Sequence, residues 1–118
     1  MIRIDAVWLS VEPIDMRAGL DTCMSRVIAV FGAARPHHAY LFSNRRANRI
    51  KVLVHDGVGI WLCAKRLYQG KFVWPSKLHS DVNGAPIATT ELTQAQWQAL
   101  VVGLPWQRIG DAGVMTAW

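Results

Sequence analysis

Carboxylates are scarce in this sequence, and the few present are dispersed. Of its 118 residues, eight are Asp or Glu against thirteen Lys or Arg. An enzyme that cuts or joins nucleic-acid strands needs several carboxylates converging on two metal ions. Asp5, Glu12, Asp15 and Asp21 are instead strung along a first strand and helix, where capping and solvation account for Asp15 and Asp21. Cysteine is equally sparse. Cys23 and Cys63 sit in separate apolar runs with none of the short spacing of a zinc site, and they read as small buried hydrophobes of a reducing compartment. No apolar run approaches membrane-helix length, and the opening MIRIDAVWLSVEP lacks the layout of a cleavable signal, so a cytoplasmic protein is expected. The Gly57-Val58-Gly59 fragment has no Gly-Lys-Ser or Gly-Lys-Thr beside it and no helix signal after it, and reads as a hairpin turn rather than a phosphate loop.

What the chain does have is a concentrated positive charge. Between Arg35 and Lys77 there are nine Arg or Lys (Arg35, Arg45, Arg46, Arg49, Lys51, Lys65, Arg66, Lys71 and Lys77) and one carboxylate, Asp56. The other four basic residues share their segments with seven acids, so the net +5 is a local property. A local cationic field is the footprint of a polyanion partner.

The same stretch carries the strongest strand signals. Ala39–Ser43, Arg49–His55 and Gly59–Arg66 read as three sequential antiparallel strands, with Asn44–Asn48 turning the chain after the first and Asp56-Gly57 making a hairpin after the second. Alternation along a strand sets Ile50, Val52 and Val54 on one face and Lys51, Leu53 and His55 on the other. The first set is the cleaner core face. The face carrying Lys51 and Lys65 is then expected to be the working surface, with the arginines of the turn at one end of the ribbon.

Outside this meander, Ala6–Ser10 reads as a strand that Pro13 interrupts. Asp15 is placed to cap a helix whose apolar positions Leu20, Met24, Val27, Ile28 and Phe31 recur at helical spacing, and Gly32 to end it. Ser76–Thr90 is a polar connector with a turn signal at Asn83-Gly84. A second helix follows, marked by the Thr93/Gln96 capping-box pair, by Leu92 and Trp97 at the staple positions, and by Gly103 and Pro105 as stops. With 52% hydrophobic residues the chain can bury a core without disulfides or metal. The expected architecture is a single α+β domain over residues 1–118, an antiparallel β-meander with flanking helices.

The candidate nucleic-acid contacts are Arg45, Arg46, Asn48, Arg49, Lys51, Lys65, Arg66 and Lys71, because guanidinium groups on a turn grip phosphates with paired donors and asparagine amides add neutral contacts. Asn44 joins Asn48 in that role, and Tyr68, Phe72 and Trp74 are candidates for stacking on unpaired bases, although Trp74, just before Pro75, suits packing under the sheet better. The competing explanation is a charged turn that keeps a strand edge soluble. His55-Asp56 resembles a base with its orienting carboxylate, yet neighbouring strand residues point to opposite faces and Asp56 has a turn to close. His37-His38 beside Pro36 reads as a loop feature; with His79 and Cys63 it has no zinc spacing. No catalytic residue, cofactor or metal ligand is assigned.

These residues resemble a known family, the Orf2-type accessory proteins, called TnpB, of bacterial transposons of the insertion-sequence-66 family. The likeness rests on Asp15-Met16-Arg17-Ala18-Gly19, on the run Tyr40 to Leu53, on His55-Asp56-Gly57 with Gly59-Ile60-Trp61-Leu62, on Lys65-Arg66-Leu67, and on Gly70-Lys71-Phe72-Val73-Trp74-Pro75. Gln98-Ala99-Leu100 and Gly103-Leu104-Pro105-Trp106 extend it. His55 departs from the pattern, which has an aromatic residue before the Asp-Gly. The resemblance implies a non-catalytic protein that serves DNA transposition beside a separate transposase and a further small accessory protein. The alternative is a protein-interaction module that docks on the transposase without touching DNA, its charge serving solubility. A third reading, a divergent nuclease, needs three of the dispersed acids to meet in space. An exposed sheet edge leaves a homodimer open.

Overall fold

The computed structural model describes residues 3–75 and 89–103. The elements run β1 (Ala6–Ser10), α1 (Leu20–Phe31), β2 (His38–Ser43), β3 (Arg49–His55), β4 (Ile60–Arg66), β5 (Thr89–Leu92) and α2 (Gln94–Val101). The strands form one sheet in the order β4-β3-β2-β1-β5. The expected meander is present, with β2, β3 and β4 paired antiparallel in sequence. β1 joins it in parallel with β2, and β5 closes the other side of β1 antiparallel. Parallel neighbours need a crossover, and α1 is the helix in that crossover. The connector's Asn83-Gly84 signal and the Pro105 stop lie outside the described residues.

Each face of the sheet carries its own core. Cys23 and Val27 of α1 pack on Ile14, Tyr40, Phe42 and Leu53, with the ring of Phe31 4.9 Å from that of Tyr40. On the opposite face Leu9, Leu41, Ile50, Val52 and Val54 pack with Ala99 and Leu100 of α2 and with Phe72. Ile50, Val52 and Val54 are thus the core face anticipated for β3. Leu53, however, is fully buried on the other side, because the crossover lays α1 across it. Covering both faces explains why β2 is buried from Ala39 through Ser43 rather than at alternate positions.

The helix ends follow local chemistry, with one correction. Asp15 does not cap α1. Gly19 occupies the N-cap and offers no side-chain acceptor; Asp15 closes its own turn, Oδ1 accepting from the Arg17 backbone N–H at 2.9 Å while the carboxylate accepts from the Arg17 guanidinium at 2.8 Å. The buried stripe of α1 is Cys23 and Val27, with Met24 and Phe31 packed beside it and Leu20 and Ile28 about half exposed. α2 begins as expected: Thr93 Oγ1 accepts from the Gln96 N–H, and Gln96 Oε1 accepts from the Thr93 N–H. Leu92 and Trp97 pack at its start. Gly103, at φ 83°, donates to the Leu100 carbonyl beyond its last turn.

Candidate nucleic-acid interface

Arg45, Arg46, Arg49, Arg66 and Lys71 gather at one end of the sheet, and a single asparagine organises that end. Asn44 Oδ1 accepts from the backbone N–H groups of both Asn48 and Arg49 at 3.1 Å, and its Nδ2 donates to Asn48 Oδ1 at 2.7 Å. Together with the Ala47 N–H donating to the Asn44 carbonyl, these bonds close the β2–β3 turn around its first residue. Arg45 and Arg46 are left exposed at the tip. Asn44 is therefore a structural residue of the turn, and the Asn48 amide is partly committed to it.

The chain leaving β4 then folds back on this turn. Leu67 N–H donates to the Asn48 carbonyl at 3.0 Å and Phe72 N–H to the Ala47 carbonyl at 2.6 Å, with Gly70 at φ 79° allowing the bend between them. Burial of Phe72 in the α2-side core anchors the return. Arg66 and Lys71 are thereby carried beside Arg45, Arg46 and Arg49, and all five are exposed. Arg49 and Arg66 stand directly opposite each other across β3 and β4. The ion pairs seen among the described residues, Arg3 with Asp5 and Arg17 with Asp15, take up none of Arg45, Arg46, Arg66 or Lys71.

Lys51 and Lys65 do not share a face, and this corrects the expected working surface. β4 pairs Lys51 with Ala64 and Ile50 with Lys65, so the two lysines project from opposite sides of the sheet. Both are also engaged within the fold. Lys51 Nζ donates to the Ala18 carbonyl at 2.5 Å just before α1, and Lys65 Nζ to the Val101 carbonyl at 2.5 Å. The second contact sets a positive charge at the negative end of the α2 dipole. α1 and α2 cover the faces of the inner strands while β4 stays largely exposed, and the candidate cations other than these two lysines lie exposed at the end of the sheet.

An open cleft of about 610 Å³ lies beside this end, between residues 12–16 and the 44–49 turn, lined by Glu12, Asp15, Arg26, Arg45 and Arg49. It is mixed in sign. The side-chain hydrogen bond from Arg17, backed by its backbone N–H, holds the Asp15 carboxyl down at about 2.

Of the aromatic candidates, Tyr68 alone is fully exposed, between Arg66 and Lys71. Phe72 is buried, and Trp74 packs against the core with its Nε1 donating to the Ser10 carbonyl at 2.8 Å, so neither can stack on a base.

His37, His38 and His55 lie at the opposite end of the sheet, and His79 lies outside the described residues. His55 Nδ1 accepts from the Gly57 N–H at 3.0 Å. The Asp56 carboxylate accepts from the Gly59 and Val58 N–H groups and from Trp61 Nε1, which together hold its pKa down at about 2. The two side chains serve the hairpin and are not bonded to each other. Among the described residues no group of three or more His, Cys, Asp or Glu is arranged to hold a metal ion, and no helix is long and apolar enough to cross a membrane.

Compared with known protein families, the chain matches the one described as "IS66 Orf2 like protein" over residues 5–111. Two relatives occur in Sinorhizobium fredii (strain NBRC 101917 / NGR234). "Uncharacterized protein y4hO" is 33% identical over 102 residues, covering 86% of this chain and 82% of the relative. "Uncharacterized protein y4jC" is 27% identical over 108 residues, covering 87% and 82%. No solved structure matches the chain.

Proposed function

The chain belongs to the IS66 Orf2-like family of transposition-associated accessory proteins, and we propose that it binds DNA through the cationic end of its sheet. In this reading it holds a transposon end for a separate transposase, which performs cleavage and joining alongside a second small accessory protein of the same element. The observation that carries the proposal is the convergence of exposed Arg45, Arg46, Arg49, Arg66 and Lys71 on one bracketed turn. Like charges directly opposite each other, as Arg49 and Arg66 are, cost stability in the free protein. A phosphate between them removes that cost, which an arrangement serving solubility alone does not require. Lys51 and Lys65 contribute less, since each must first release a carbonyl. Asn48 contributes through the part of its amide that Asn44 leaves free.

The binding is electrostatic. Five phosphate contacts give a fall in affinity of about two to three decades between roughly 50 and 200 mM salt. A gel-shift salt series on terminal-repeat DNA tests this, with an Arg45→Ala, Arg46→Ala, Arg49→Ala triple variant alongside. The variant is expected to bind more weakly and with a salt slope smaller by about three. Salt-tolerant binding to the transposase, with no affinity for DNA and no effect of the triple change, would replace this proposal with the protein-docking alternative.

A further inference from the structure

β4 is an edge strand among the described residues, and its side away from β3 is unpaired. Two hydrogen bonds define which backbone groups are free: Asp56 N–H donates to the Gly59 carbonyl and Leu67 N–H to the Asn48 carbonyl. Bonded and non-bonded pairs alternate along an antiparallel ladder. Trp61, Cys63 and Lys65 therefore turn their backbone groups toward β3, while Ile60, Leu62, Ala64 and Arg66 turn theirs outward. The usual protections of an edge are thin here. β4 contains no proline, its register with β3 runs from Arg49↔Arg66 to His55↔Ile60 without a bulge, and most of its residues are exposed.

The protection that remains is the charge of Lys65 and Arg66, and it acts selectively. A parallel pairing with another β4 would set these cations beside their own copies. An antiparallel pairing centred on Cys63 avoids this and uses the whole strand: Lys65 faces Trp61 of the second copy, Arg66 faces Ile60, Leu62 faces Ala64, and the two Cys63 residues meet at the two-fold axis. The strand is complementary to itself in charge as well. At the Trp61 end, Asp56 holds its carboxylate against the indole, with Oδ2 2.6 Å from Nε1. The incoming Lys65 ammonium, on exchanging its bond to the Val101 carbonyl, meets an aromatic ring backed by an anion. Trp61 is half exposed and Cys63 exposed in the single chain, and both become covered.

We propose that the chain forms a two-fold dimer by antiparallel β4–β4 pairing centred on Cys63, joining two five-stranded sheets into one. This does not depend on the DNA-binding reading, although such a dimer carries two basic ends facing opposite ways along the shared strands.

The test is the mass in solution by sedimentation equilibrium, combined with cysteine cross-linking of the intact chain. Twice the chain mass is expected, and mild oxidation of the dimer should yield a covalent dimer through Cys63, since facing non-hydrogen-bonded residues come closest. The Cys23→Ser variant should cross-link as the parent does, and Cys63→Ser should not. Ala64→Pro removes an outward N–H without taking a bond from the β3 ladder, and is expected to halve the mass while keeping the circular dichroism of the parent. Should Ala64→Pro misfold, Lys65→Glu, which sets a carboxylate against the partner's Asp56 end, is expected to lower the mass in its place. A parent that stays monomeric at its highest soluble concentration overturns the proposal. So does a dimer whose Cys63 residues do not cross-link, or one that survives these variants in folded form.

Discussion

Arg49 and Arg66 stand face to face across the β3–β4 ladder at the exposed end of the sheet. Two like charges in that relationship oppose folding, by about 0.2–1 kcal/mol for a directly opposed pair. Replacing Arg66 with Gln should therefore raise the free energy of unfolding by up to about 1 kcal/mol at low ionic strength, with the gain shrinking as salt screens the pair. Urea unfolding at low and high salt measures it. The same variant should bind DNA more weakly, so that stability and affinity move in opposite directions.

Asn44 ties the turn together without carrying charge. Asn44→Ala leaves the Asn48 and Arg49 N–H groups without their shared acceptor, and a cost of about 0.5–1.5 kcal/mol is expected from urea unfolding. Asn44→Asp retains the acceptor, and turning the Asn48 amide over lets its Nδ2 donate to the new carboxylate in place of the lost bond, so it should cost less. If the turn presents Arg45 and Arg46 to DNA, Asn44→Ala should also reduce affinity, although no cation has been removed.

Acid should unfold the protein in part through Asp56. Its folded pKa is held at about 2 by the Gly59 and Val58 N–H groups and the Trp61 indole, below the ordinary value of 3.8. A depressed carboxylate pKa means that the unfolded chain takes up protons first as pH falls. The stabilisation is therefore complete above the unfolded value and disappears between about pH 4 and pH 2. Asp15, lowered to about 2 by Arg17, acts in the same window and the same direction. The denaturant midpoint should be flat above about pH 5 and drop below it. The drop should be shallower in Asp56→Asn.

The capping box of α2 makes a fourth case. Thr93→Ala removes the acceptor for the Gln96 N–H and should lower the unfolding free energy by about 0.5–2 kcal/mol. Because α2 covers the face holding Ile50, Val52 and Val54, the loss should appear in global unfolding rather than in local fraying, which hydrogen exchange of the β3 amides would show.

Much of this was legible in local chemistry. The Asp56-Gly57 hairpin, the Thr93/Gln96 box and the runs that became β1, β3 and most of β2 and β4 are set by neighbours a few residues apart, and such signals are written along the chain. Asp15 does not cap α1 because it has a nearer partner in Arg17, two residues on, and a local bond between those two closes a turn before a helix can claim the carboxylate.

The sequence by itself determined the excess of cations, their absence from any acidic counter-run, and which residues within one strand share a face. It did not determine which faces of two strands coincide. That depends on register, and the β3–β4 register sets every odd-numbered residue of β3 against an even-numbered residue of β4, which separates Lys51 from Lys65. Only the tertiary structure decided that α1 and α2 cover the faces of the inner strands, and that Arg45, Arg46, Arg49, Arg66 and Lys71 meet at one end of the sheet. The reason is physical: alternation along a strand is a local consequence of backbone geometry, whereas register and face coverage follow from where turns and crossovers deliver distant segments.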